Sequence, residues 1–465
     1  MRINIETLGC KLNQAETGAL ARRFTAAGHQ VVGRGEPADI YILNTCTVTG
    51  TADAKARHLL RLARRRNPGA LVVATGCYAD RAPLDLAKMG EVDIVTGNDG
   101  KSGLPERLVE EGVLKGSLLS PPWERTKVRG YNDDGETASP SAEGGHLSSP
   151  LTGEVRDPDA NRGNGVRVTG GIPASEIAGR SSLTPLPTPH RTRAFIKVQD
   201  GCRNYCAYCI VPYVRRQETS VSPDDIVNEI RQRVAEGCQE AVLTGTRIGG
   251  YDSGGLKLTG LAQRIMKETG IARLRLSSLQ PGELSPALLA LWRDKRLCPH
   301  FHLSLQSGSD SVLKRMRRRY TTSEYSLAVA LIRASVPDVA ITTDVIVGFP
   351  GETDAEFQES LVYCRNAGFA RIHIFPFSPR SGTEAAGMPG QVPEMVKKER
   401  ARILLELAAE SARTFREQFT GATLDVLWEQ ERDTGVWSGV TGNYIRVQRK
   451  DKRNLTNKLG KVNMS

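Results

Sequence analysis

The chain has 465 residues, enough for two or three domains, each with its own hydrophobic core. Its 63 Lys and Arg residues outnumber its 52 Asp and Glu residues, and the net charge of +11 favours a polyanionic partner such as nucleic acid. The start, MRINIETLGC, does not resemble a signal peptide, and no apolar run is long enough to span a membrane. We therefore expect a cytoplasmic protein, in which nine cysteines favour metal binding or catalysis over disulfides.

The N-terminal part of the chain contains three short apolar strands that each end in a cysteine. They read INIETLGC, DIYILNTC and ALVVATGC and end at Cys10, Cys46 and Cys77. Two stretches with helical periodicity, QAETGALARRFTAAG and ADAKARHLLRLARRRNPG, lie between them. This order predicts an open parallel α/β sheet, in which the ends of neighbouring strands gather at one edge. We therefore expect the three cysteines to meet in space; the alternative is three separate buried thiols.

Residues 116–190 are predicted to be a disordered linker that follows a first domain of residues 1–115. Within it, residues 132–190 contain no Phe, Tyr, Trp, Cys, Met or Lys and are rich in Gly, Ser, Pro and Asp. A segment of this composition lacks the apolar side chains needed for a packed core.

Strands and helices alternate again over residues 191–415. The predicted strands are AFIKVQ, EAVLTGT, RLRLSSL, FHLSLQS, ITTDVIVGF and RIHIFPF, separated by helical patterns such as PDDIVNEIRQRVAEG, LAQRIMKETG, TSEYSLAVALIRAS and DAEFQESLVYCRNAG. Six β/α units of this kind predict a parallel sheet curled into a partial barrel. The active site of such a barrel lies at the C-terminal ends of its strands.

A cysteine motif follows the first of these strands. In VQDGCRNYCAYCIVPY, Cys202, Cys206 and Cys209 have the spacing C-x3-C-x2-C, and no fourth Cys or His lies nearby in the sequence. A closed structural zinc site needs four ligands. A cubane iron–sulfur cluster bound by three thiolates instead leaves one iron open to a substrate or cofactor. We favour the cluster, and a zinc site or an ordinary loop is the alternative.

The segment GCRNYCAYC resembles the cluster motif of the radical S-adenosylmethionine enzymes, including the aromatic Tyr208 before the third cysteine. The segments TLGCKLNQAET, ADIYILNTCTVTGTADAKAR and ALVVATGCYA resemble the N-terminal domain of the methylthiotransferases of that superfamily. RLSSLQPGEL, HLSLQSGSDSVLKRMRRRYT, DVIVGFPGET and FPFSPRSGT continue the resemblance, which covers about residues 1–110 and 191–447.

This resemblance implies two 4Fe-4S clusters and S-adenosylmethionine as cofactors. The open iron of the barrel cluster would bind S-adenosylmethionine, which is split into methionine and a 5′-deoxyadenosyl radical, and the second cluster would be an auxiliary one. The ligands that the resemblance implies are Cys202, Cys206 and Cys209 in the barrel, and Cys10, Cys46 and Cys77 in the N-terminal domain.

The segments TLGCKLNQ and NTCTVT are most similar to the branch of the family that modifies tRNA at threonylcarbamoyladenosine. The implied reaction is methylthiolation of carbon 2 of that adenosine, at position 37 in the anticodon loop. S-Adenosylmethionine would serve as both radical source and methyl donor. The alternatives are the branches acting on isopentenyladenosine or on a ribosomal-protein aspartate, and a non-enzymatic zinc- and RNA-binding protein. The motifs identify neither the sulfur donor nor the electron donor.

Position in the barrel suggests further cofactor contacts at the ends of strands. These are Tyr208, Gly245, Thr246, Ser278 and Gln306. Polar residues at such positions often only end strands or cap helices, which is the alternative for each of them.

Two groups of basic residues are candidates for phosphate contacts with RNA. They are Arg57, Arg61, Arg64 and Arg65 at helical spacing, and Lys314, Arg315, Arg317, Arg318 and Arg319 in LKRMRRRY. A solvated surface is the alternative. We expect specific recognition to come from a base of an RNA loop that is turned out of its stack.

Residues 416–465 are predicted to form a short β module. The segment ATLDVLWEQERDTGVWSGVTGNYIRVQRK resembles the start of the TRAM-like RNA-binding module that closes these enzymes. The following DKRNLTNKLGKVNMS shows no apolar alternation, so we expect a truncated module. From Arg446 onwards there are seven basic residues and one acidic residue, which predicts a basic tail that contacts RNA through charge.

Overall fold

The computed structural model describes residues 1–114, the backbone of residues 167–169, and residues 192–464. In these ranges no helix is both long and apolar enough to cross a membrane. The predicted fold class is confirmed. An open parallel α/β sheet, a partial β/α barrel and an antiparallel β module follow one another along the chain.

The N-terminal domain is a six-stranded parallel sheet covered by helices on both faces. Its strands, in the spatial order β2-β1-β3-β4-β5-β6, are β1 Arg2–Thr7, β2 Gln30–Val32, β3 Ile40–Thr45, β4 Leu71–Gly76, β5 Ile94–Thr96 and β6 Arg167–Thr169. Its helices are α1 Lys11–Ala26, α2 Gly50–Arg66, α3 Cys77–Arg81, α4 Pro83–Ala87, α5 Asn98–Lys101 and α6 Leu104–Glu110.

The central strands of this sheet are buried on both faces. In β3, Leu43 packs in one core cluster with Leu60 of α2, whereas its neighbour Ile42 packs in the opposite cluster with Phe24 of α1. Because both faces are covered, these strands read as continuous apolar runs rather than as an alternation with polar residues. The sheet therefore presents its functional residues at the ends of its strands.

The strand β6 lies within the segment that was predicted to be a disordered linker. Val168 of β6 pairs in parallel with Val95 of β5. The prediction of disorder is therefore wrong for residues 167–169, because Val and Thr favour strands and β5 offers a free edge for pairing. The rest of the predicted linker lies outside the described residues.

The barrel contains all six predicted strands, two of which are divided, and two short antiparallel pairs. Its strands are β7 Arg193–Lys197, β8 Gln199–Asp200, β9 Thr219–Ser220, β10 Glu240–Thr244, β11 Asp252–Ser253, β12 Leu256–Lys257, β13 Arg273–Leu276, β14 Ser278–Leu279, β15 His300–Leu303, β16 Ala340–Val347 and β17 Arg371–Pro376. The helices of this region are α7 Val211–Val214, α8 Pro223–Ala235, α9 Leu258–Glu268, α10 Pro286–Leu289, α11 Asp310–Arg315, α12 Thr322–Ser335, α13 Asp354–Ala367, α14 Glu384–Gly387 and α15 Glu394–Glu417.

The third predicted barrel strand, RLRLSSL, is interrupted at Ser277. Its first part, β13, pairs with β10, and its second part, β14, pairs with β15, so the curled sheet consists of the orders β13-β10-β7 and β14-β15-β16-β17. The backbone N–H of Ser277 donates to the carbonyl of Leu243 at 3.0 Å, which keeps the two parts continuous. Within these two sheets all neighbouring strands are parallel, as predicted.

Side chains alternate along the barrel strands between an apolar outer face and a polar inner face. Leu274 and Phe301 belong to the large core that packs against the helices, whereas Arg275, His300 and His302 lie on the opposite face of the same strands. Closed β/α barrels fill their interior mainly with branched apolar side chains. We call the space bounded by the inward side chains of β7, β10, β13, β15, β16 and β17 the barrel lumen, and its polarity indicates a binding site.

The C-terminal module is a four-stranded antiparallel sheet in the order β20-β19-β18-β21. Its strands are β18 Thr423–Asp433, β19 Val436–Thr441, β20 Arg446–Lys450 and β21 Leu459–Asn463. The sequence predicted a truncated module that ends in a basic tail. This prediction is wrong for residues Leu459–Asn463, which form the strand β21. Only Val462 of β21 packs against the small core around Trp428, so the sequence shows no apolar alternation, and the strand is held by its backbone pairing with β18.

This module closes the N-terminal end of the barrel. The guanidinium of Arg273 donates to the carbonyl oxygens of Val440 at 3.1 Å and Asp425 at 2.6 Å. The ring of Tyr444 stacks on His300 with 4.6 Å between ring centroids. The barrel lumen is therefore covered at its floor by the C-terminal module.

Candidate active site

The barrel cysteines lie in the loop after β8, at the C-terminal end of the barrel. Cys202, Cys206 and Cys209 line a cavity of about 180 Å³, and no other Cys or His is among the described residues that line it. Tyr208, Thr246, Ser278 and Gln306, which were predicted to contact the cofactor, line the same cavity. The structure thus brings three thiols and four of the five other predicted residues together.

The fifth predicted residue, Gly245, is not among the residues that line the cavity. A Cβ atom at Gly245 would lie 2.7 Å from the backbone oxygen of Gln199. This glycine therefore allows the end of β10 to approach β8 closely. The neighbouring Thr246 hydroxyl donates to the side-chain oxygen of Gln199 at 3.0 Å and to the backbone oxygen of Gly201, just before the first cysteine of the motif.

Gln306 reaches the cavity from an unusual backbone conformation. Its φ of 71° lies in the left-handed region, which side chains other than Gly rarely adopt. The conformation is held by two backbone hydrogen bonds, from Gln306 N–H to the Asp344 carbonyl at 2.8 Å and from Ile346 N–H to the Gln306 carbonyl at 2.9 Å. Strain of this kind is typical of functional sites.

Arg318 lines the cavity of the barrel cysteines, a position that the sequence did not predict for it. It was predicted to contact RNA phosphates, but its Nη1 donates to the sulfur of Cys206 at 3.3 Å and its Nε donates to Tyr320 Oη at 3.0 Å. Burial alone would lower the pKa of Arg318, but Tyr208, Tyr320 and Cys206 more than offset this, and its pKa stays well above the ordinary value. The guanidinium is therefore a permanent cation beside the sulfur of Cys206.

Other members of the two predicted basic groups also form internal contacts. Arg315 forms a bidentate ion pair with Glu356, in which Nη1 donates to Oε1 and Nη2 donates to Oε2, both at 2.8 Å. Arg57 donates to Tyr78 Oη at 2.7 Å, and Arg64 pairs with Asp93. The surface available for phosphate contacts is consequently smaller than the sequence suggested.

The N-terminal cysteines lie at the C-terminal edge of the parallel sheet. Cys10 precedes α1, Cys46 follows β3, and Cys77 begins α3 directly after β4. Gly9, with a φ of 107°, permits the close approach, because a Cβ atom there would lie 2.8 Å from the sulfur of Cys46. The pKa of the Cys46 thiol is raised, mainly by burial and to a smaller extent by the nearby thiols of Cys10 and Cys77.

The sulfur atoms of each triad are too far apart to share a single metal ion. Among the described residues, the sulfurs of neither triad all lie within 4.8 Å of one another. A single tetrahedral zinc ion with bonds of about 2.3 Å holds its sulfurs about 3.8 Å apart. A 4Fe-4S cluster binds each thiolate at a different iron, so its cysteines need not share one metal ion. Three thiolates per triad is also the number that leaves one iron of such a cluster open.

The short helix α7 lies next to one cysteine of each triad. This helix begins two residues after Cys209, and Cys77 packs against Ile210 and Val214 at its two ends. The side-chain amide of Asn98 donates to the Val214 carbonyl at 2.8 Å and to the Cys77 sulfur at 3.7 Å. The helix α7 therefore connects the neighbourhoods of the two triads.

A buried ion-pair network, which we call the domain clamp, joins the N-terminal domain to the barrel. Arg215, directly after α7, pairs with Glu16 of α1 at 2.8 Å and with Asp200 of β8 at 2.8 Å. Lys101 and Lys197 also contact Glu16, at 2.7 and 3.1 Å. Burial raises the pKa of Glu16, but Arg215 and the two lysines lower it more, so the pKa lies well below 4.5.

We expect Arg215→Met to lower the free energy of unfolding by about 3–5 kcal/mol, because it leaves buried carboxylates partly unpaired. The control Arg402→Met removes an exposed arginine and should lower stability far less, because solvent screens its ion pairs. Since folding lowers the pKa of Glu16, its contribution is present above pH 4.5 and is lost as the pH falls below it. Denaturant titrations at neutral and acidic pH test this, and equal losses in the two variants would contradict the role of the clamp.

A polar cluster in the barrel lumen was not predicted from the sequence. Asp344 of β16 accepts through one oxygen from His302 Nε2 and through the other from His373 Nδ1, both at 3.0 Å. Burial raises the pKa of Asp344, but the two histidines lower it more, so the carboxylate stays ionised. The only sequence signal was the occurrence of polar residues at alternate positions of strands that otherwise look fully buried.

The sequence matches two family models. Residues 196–364 match the radical SAM superfamily, and residues 2–97 match a family described as Uncharacterized protein family UPF0004. Among solved structures, the radical S-adenosylmethionine methyltransferase TsrM from Kitasatospora setae has a similar fold, with a TM-score of 0.51 and 14% identity over 83% of this chain and 75% of that one.

Curated relatives match over nearly the whole chain. The threonylcarbamoyladenosine tRNA methylthiotransferase MtaB of Bacillus subtilis (strain 168) is 33% identical over 99% of this chain and 93% of the relative. The MtaB of Aquifex aeolicus (strain VF5) is 36% identical over 97% of both chains. The tRNA-2-methylthio-N(6)-dimethylallyladenosine synthase of Moorella thermoacetica is 30% identical over 99% and 95%. The chain therefore belongs to the radical S-adenosylmethionine methylthiotransferase family.

Proposed function

We propose that the protein methylthiolates carbon 2 of N6-threonylcarbamoyladenosine at position 37 of tRNA. The observation that carries the proposal is that a cysteine triad from each of two domains lies next to the same short helix, α7. The threonylcarbamoyl substrate is favoured over dimethylallyladenosine because the MtaB relatives are 33–36% identical to this chain, compared with 30–32% for the dimethylallyladenosine synthases.

In this proposal each domain holds one 4Fe-4S cluster. Cys202, Cys206 and Cys209 hold the cluster to which S-adenosylmethionine binds, and the N-terminal triad holds the auxiliary cluster. When bound, these groups supply a radical able to remove hydrogen from an unactivated aromatic C–H bond, together with the sulfur and the methyl group. The task of the chain is to hold both groups at one adenine and to keep water away.

The cavity residues have separate tasks in binding S-adenosylmethionine. Tyr208, Thr246, Ser278 and Gln306 line the space that the cofactor would occupy, and we propose them as its contacts. Arg318 donates to Cys206 and places a fixed positive charge beside the thiolates, which stabilises the anionic cluster. Gly245 acts indirectly, through the close packing of β8 and β10.

The proposed partner is tRNA, and the proposed compartment is the cytoplasm. The net charge of +11 provides general attraction to the RNA backbone. Lys314, Arg317 and Arg319 are exposed and remain candidates for phosphate contacts, unlike the inward-turned Arg318. These contacts would position the anticodon loop, and the modified base itself would be read in the barrel lumen.

The test uses the purified protein with both clusters reconstituted, S-adenosylmethionine, a reductant and three anticodon stem-loop RNAs. The RNAs are identical except for threonylcarbamoyladenosine, isopentenyladenosine or adenosine at position 37. We expect the mass gain of one methylthio group only on the first, measured by nucleoside mass spectrometry. Product on the isopentenyladenosine RNA alone would contradict the proposal. It would show that the protein acts on dimethylallyladenosine, which is another name for isopentenyladenosine, like the sibling branch.

A further inference from the structure

Lys11 extends from the N-terminal domain towards the barrel lumen. It is the first residue of α1, directly follows Cys10, and is partly exposed. The helix α1 packs against the barrel strands β7 and β10. The ammonium group lies close enough to Tyr444, Arg275 and Arg193 to interact electrostatically with all three, and Asp344 lies within the same range.

The charged neighbours of Lys11 are already engaged with other groups. Arg275 pairs with Glu240 at 2.7 Å, and Arg193 pairs with Glu429 at 2.7 Å. Both oxygens of Asp344 accept hydrogen bonds from the histidines of the lumen cluster. Lys11 itself has no hydrogen-bond or ion-pair partner among the described residues.

An ammonium group within electrostatic range of two guanidinium groups, with no hydrogen-bonding partner of its own among the described residues, favours a negatively charged group beside it. The positive potential has a visible effect on Tyr444. Burial raises the pKa of this phenol, but Lys11, Arg193 and Arg275 lower it more, and the pKa falls from 10.0 to about 8. This part of the lumen is therefore suited to a small anion.

The substrate of the proposed function carries such an anion. In threonylcarbamoyladenosine, the arm on N6 of the adenine ends in the carboxylate of threonine, whereas the dimethylallyl arm is uncharged. The adenine must lie between the two cysteine triads, and Lys11 is the immediate neighbour of the triad residue Cys10. An arm that extends from this adenine into the lumen would reach the ammonium group.

We propose that Lys11 binds the threonine carboxylate of threonylcarbamoyladenosine and thereby selects this nucleoside over its uncharged dimethylallyl counterpart. The inference rests on the proposed function and deepens it, because it assigns the choice of substrate to one residue. A charge-assisted hydrogen bond to a carboxylate in a partly dry site contributes about tenfold to 100-fold in affinity.

The test measures equilibrium binding, by fluorescence anisotropy, of anticodon stem-loop RNAs to the full chain with its clusters reconstituted. One RNA carries threonylcarbamoyladenosine, and the other carries its methyl ester, which keeps the shape of the arm and removes the charge. The variants are Lys11→Met, Lys11→Arg as a conservative replacement, and Lys88→Met as a control for the loss of an exposed lysine.

We expect Lys11→Met to weaken binding of the carboxylate RNA by about tenfold to 100-fold and to leave binding of the ester RNA within about twofold. Lys11→Arg should retain most of the discrimination, and Lys88→Met should behave like the wild type. Equal losses on both RNAs would overturn the inference, because they would indicate a phosphate contact or a damaged fold. No loss on either RNA would also overturn it.

Turnover of the wild-type protein separates failure of this inference from failure of the proposed function. If the wild type methylthiolates the threonylcarbamoyl RNA but Lys11→Met binds both RNAs as the wild type does, only the role of Lys11 is wrong. If the wild type produces no 2-methylthio product, the proposed function fails, whatever the binding data show.

Discussion

Simultaneous replacement of Cys202, Cys206 and Cys209 by Ala is expected to abolish reductive cleavage of S-adenosylmethionine. These thiols line the cavity that would hold the cofactor, and no other Cys or His is among the described residues lining it. Without them the open iron is lost, and with it about half of the bound iron. Formation of 5′-deoxyadenosine under anaerobic reducing conditions, together with iron and sulfide analysis, measures both effects.

The matched control for this variant is Cys364→Ala. Cys364 is buried in α13, within the apolar core of the barrel and away from both triads. We expect it to retain the full iron content and normal cleavage, although removing a buried sulfur will lower stability somewhat. Cleavage that persists in the triple variant would show that the motif does not hold the cofactor cluster.

Replacement of Cys10, Cys46 and Cys77 by Ala should separate cleavage from product formation. These residues belong to the sheet of the N-terminal domain, whose core clusters are distinct from the large barrel core. Cleavage of S-adenosylmethionine should therefore continue, while methylthiolation should fall to background because the sulfur has no site beside the adenine. Two quantities are measured on the same sample. Formation of 5′-deoxyadenosine reports cleavage, and nucleoside analysis of the RNA reports the 2-methylthio product.

The control for the second triple variant is its thermal unfolding midpoint, because Cys77 also packs against the ends of α7. A midpoint near that of the wild type, with cleavage intact and product absent, is the expected combination. Normal product from this variant would make the three residues ordinary buried thiols and would remove the auxiliary cluster from the mechanism.

Features with a local signal could be predicted from the sequence. The parallel strands were visible as short apolar runs, and the helices as stretches with helical periodicity. The structure adds the cap of one of these helices, α12, in which Thr321 accepts from the Glu324 N–H while the Glu324 side chain accepts from the Thr321 N–H. The N-terminal triad was visible because each of its cysteines follows a strand, and the barrel triad because its C-x3-C-x2-C motif follows one, where parallel sheets place their sites.

Features that depend on contacts between distant segments could not be predicted. Arg318 lies in a run of basic residues, and nothing in the run distinguishes the one that turns towards Cys206. Lys11 and Tyr444 come from opposite ends of the chain, and they lie within electrostatic range of each other only in the folded arrangement of the domains. The strand β21 was missed because backbone pairing, rather than an apolar pattern, holds it in place.

The most direct measurement of the central claim follows a deuterium label on carbon 2 of the threonylcarbamoyladenosine in an anticodon stem-loop RNA. The claim is that the radical formed in the barrel acts on this carbon while the auxiliary site supplies the sulfur. We expect deuterium to appear in 5′-deoxyadenosine in an amount equal to the 2-methylthio product. Product accompanied by unlabelled 5′-deoxyadenosine, or labelled 5′-deoxyadenosine without any 2-methylthio product from the wild type, would contradict it.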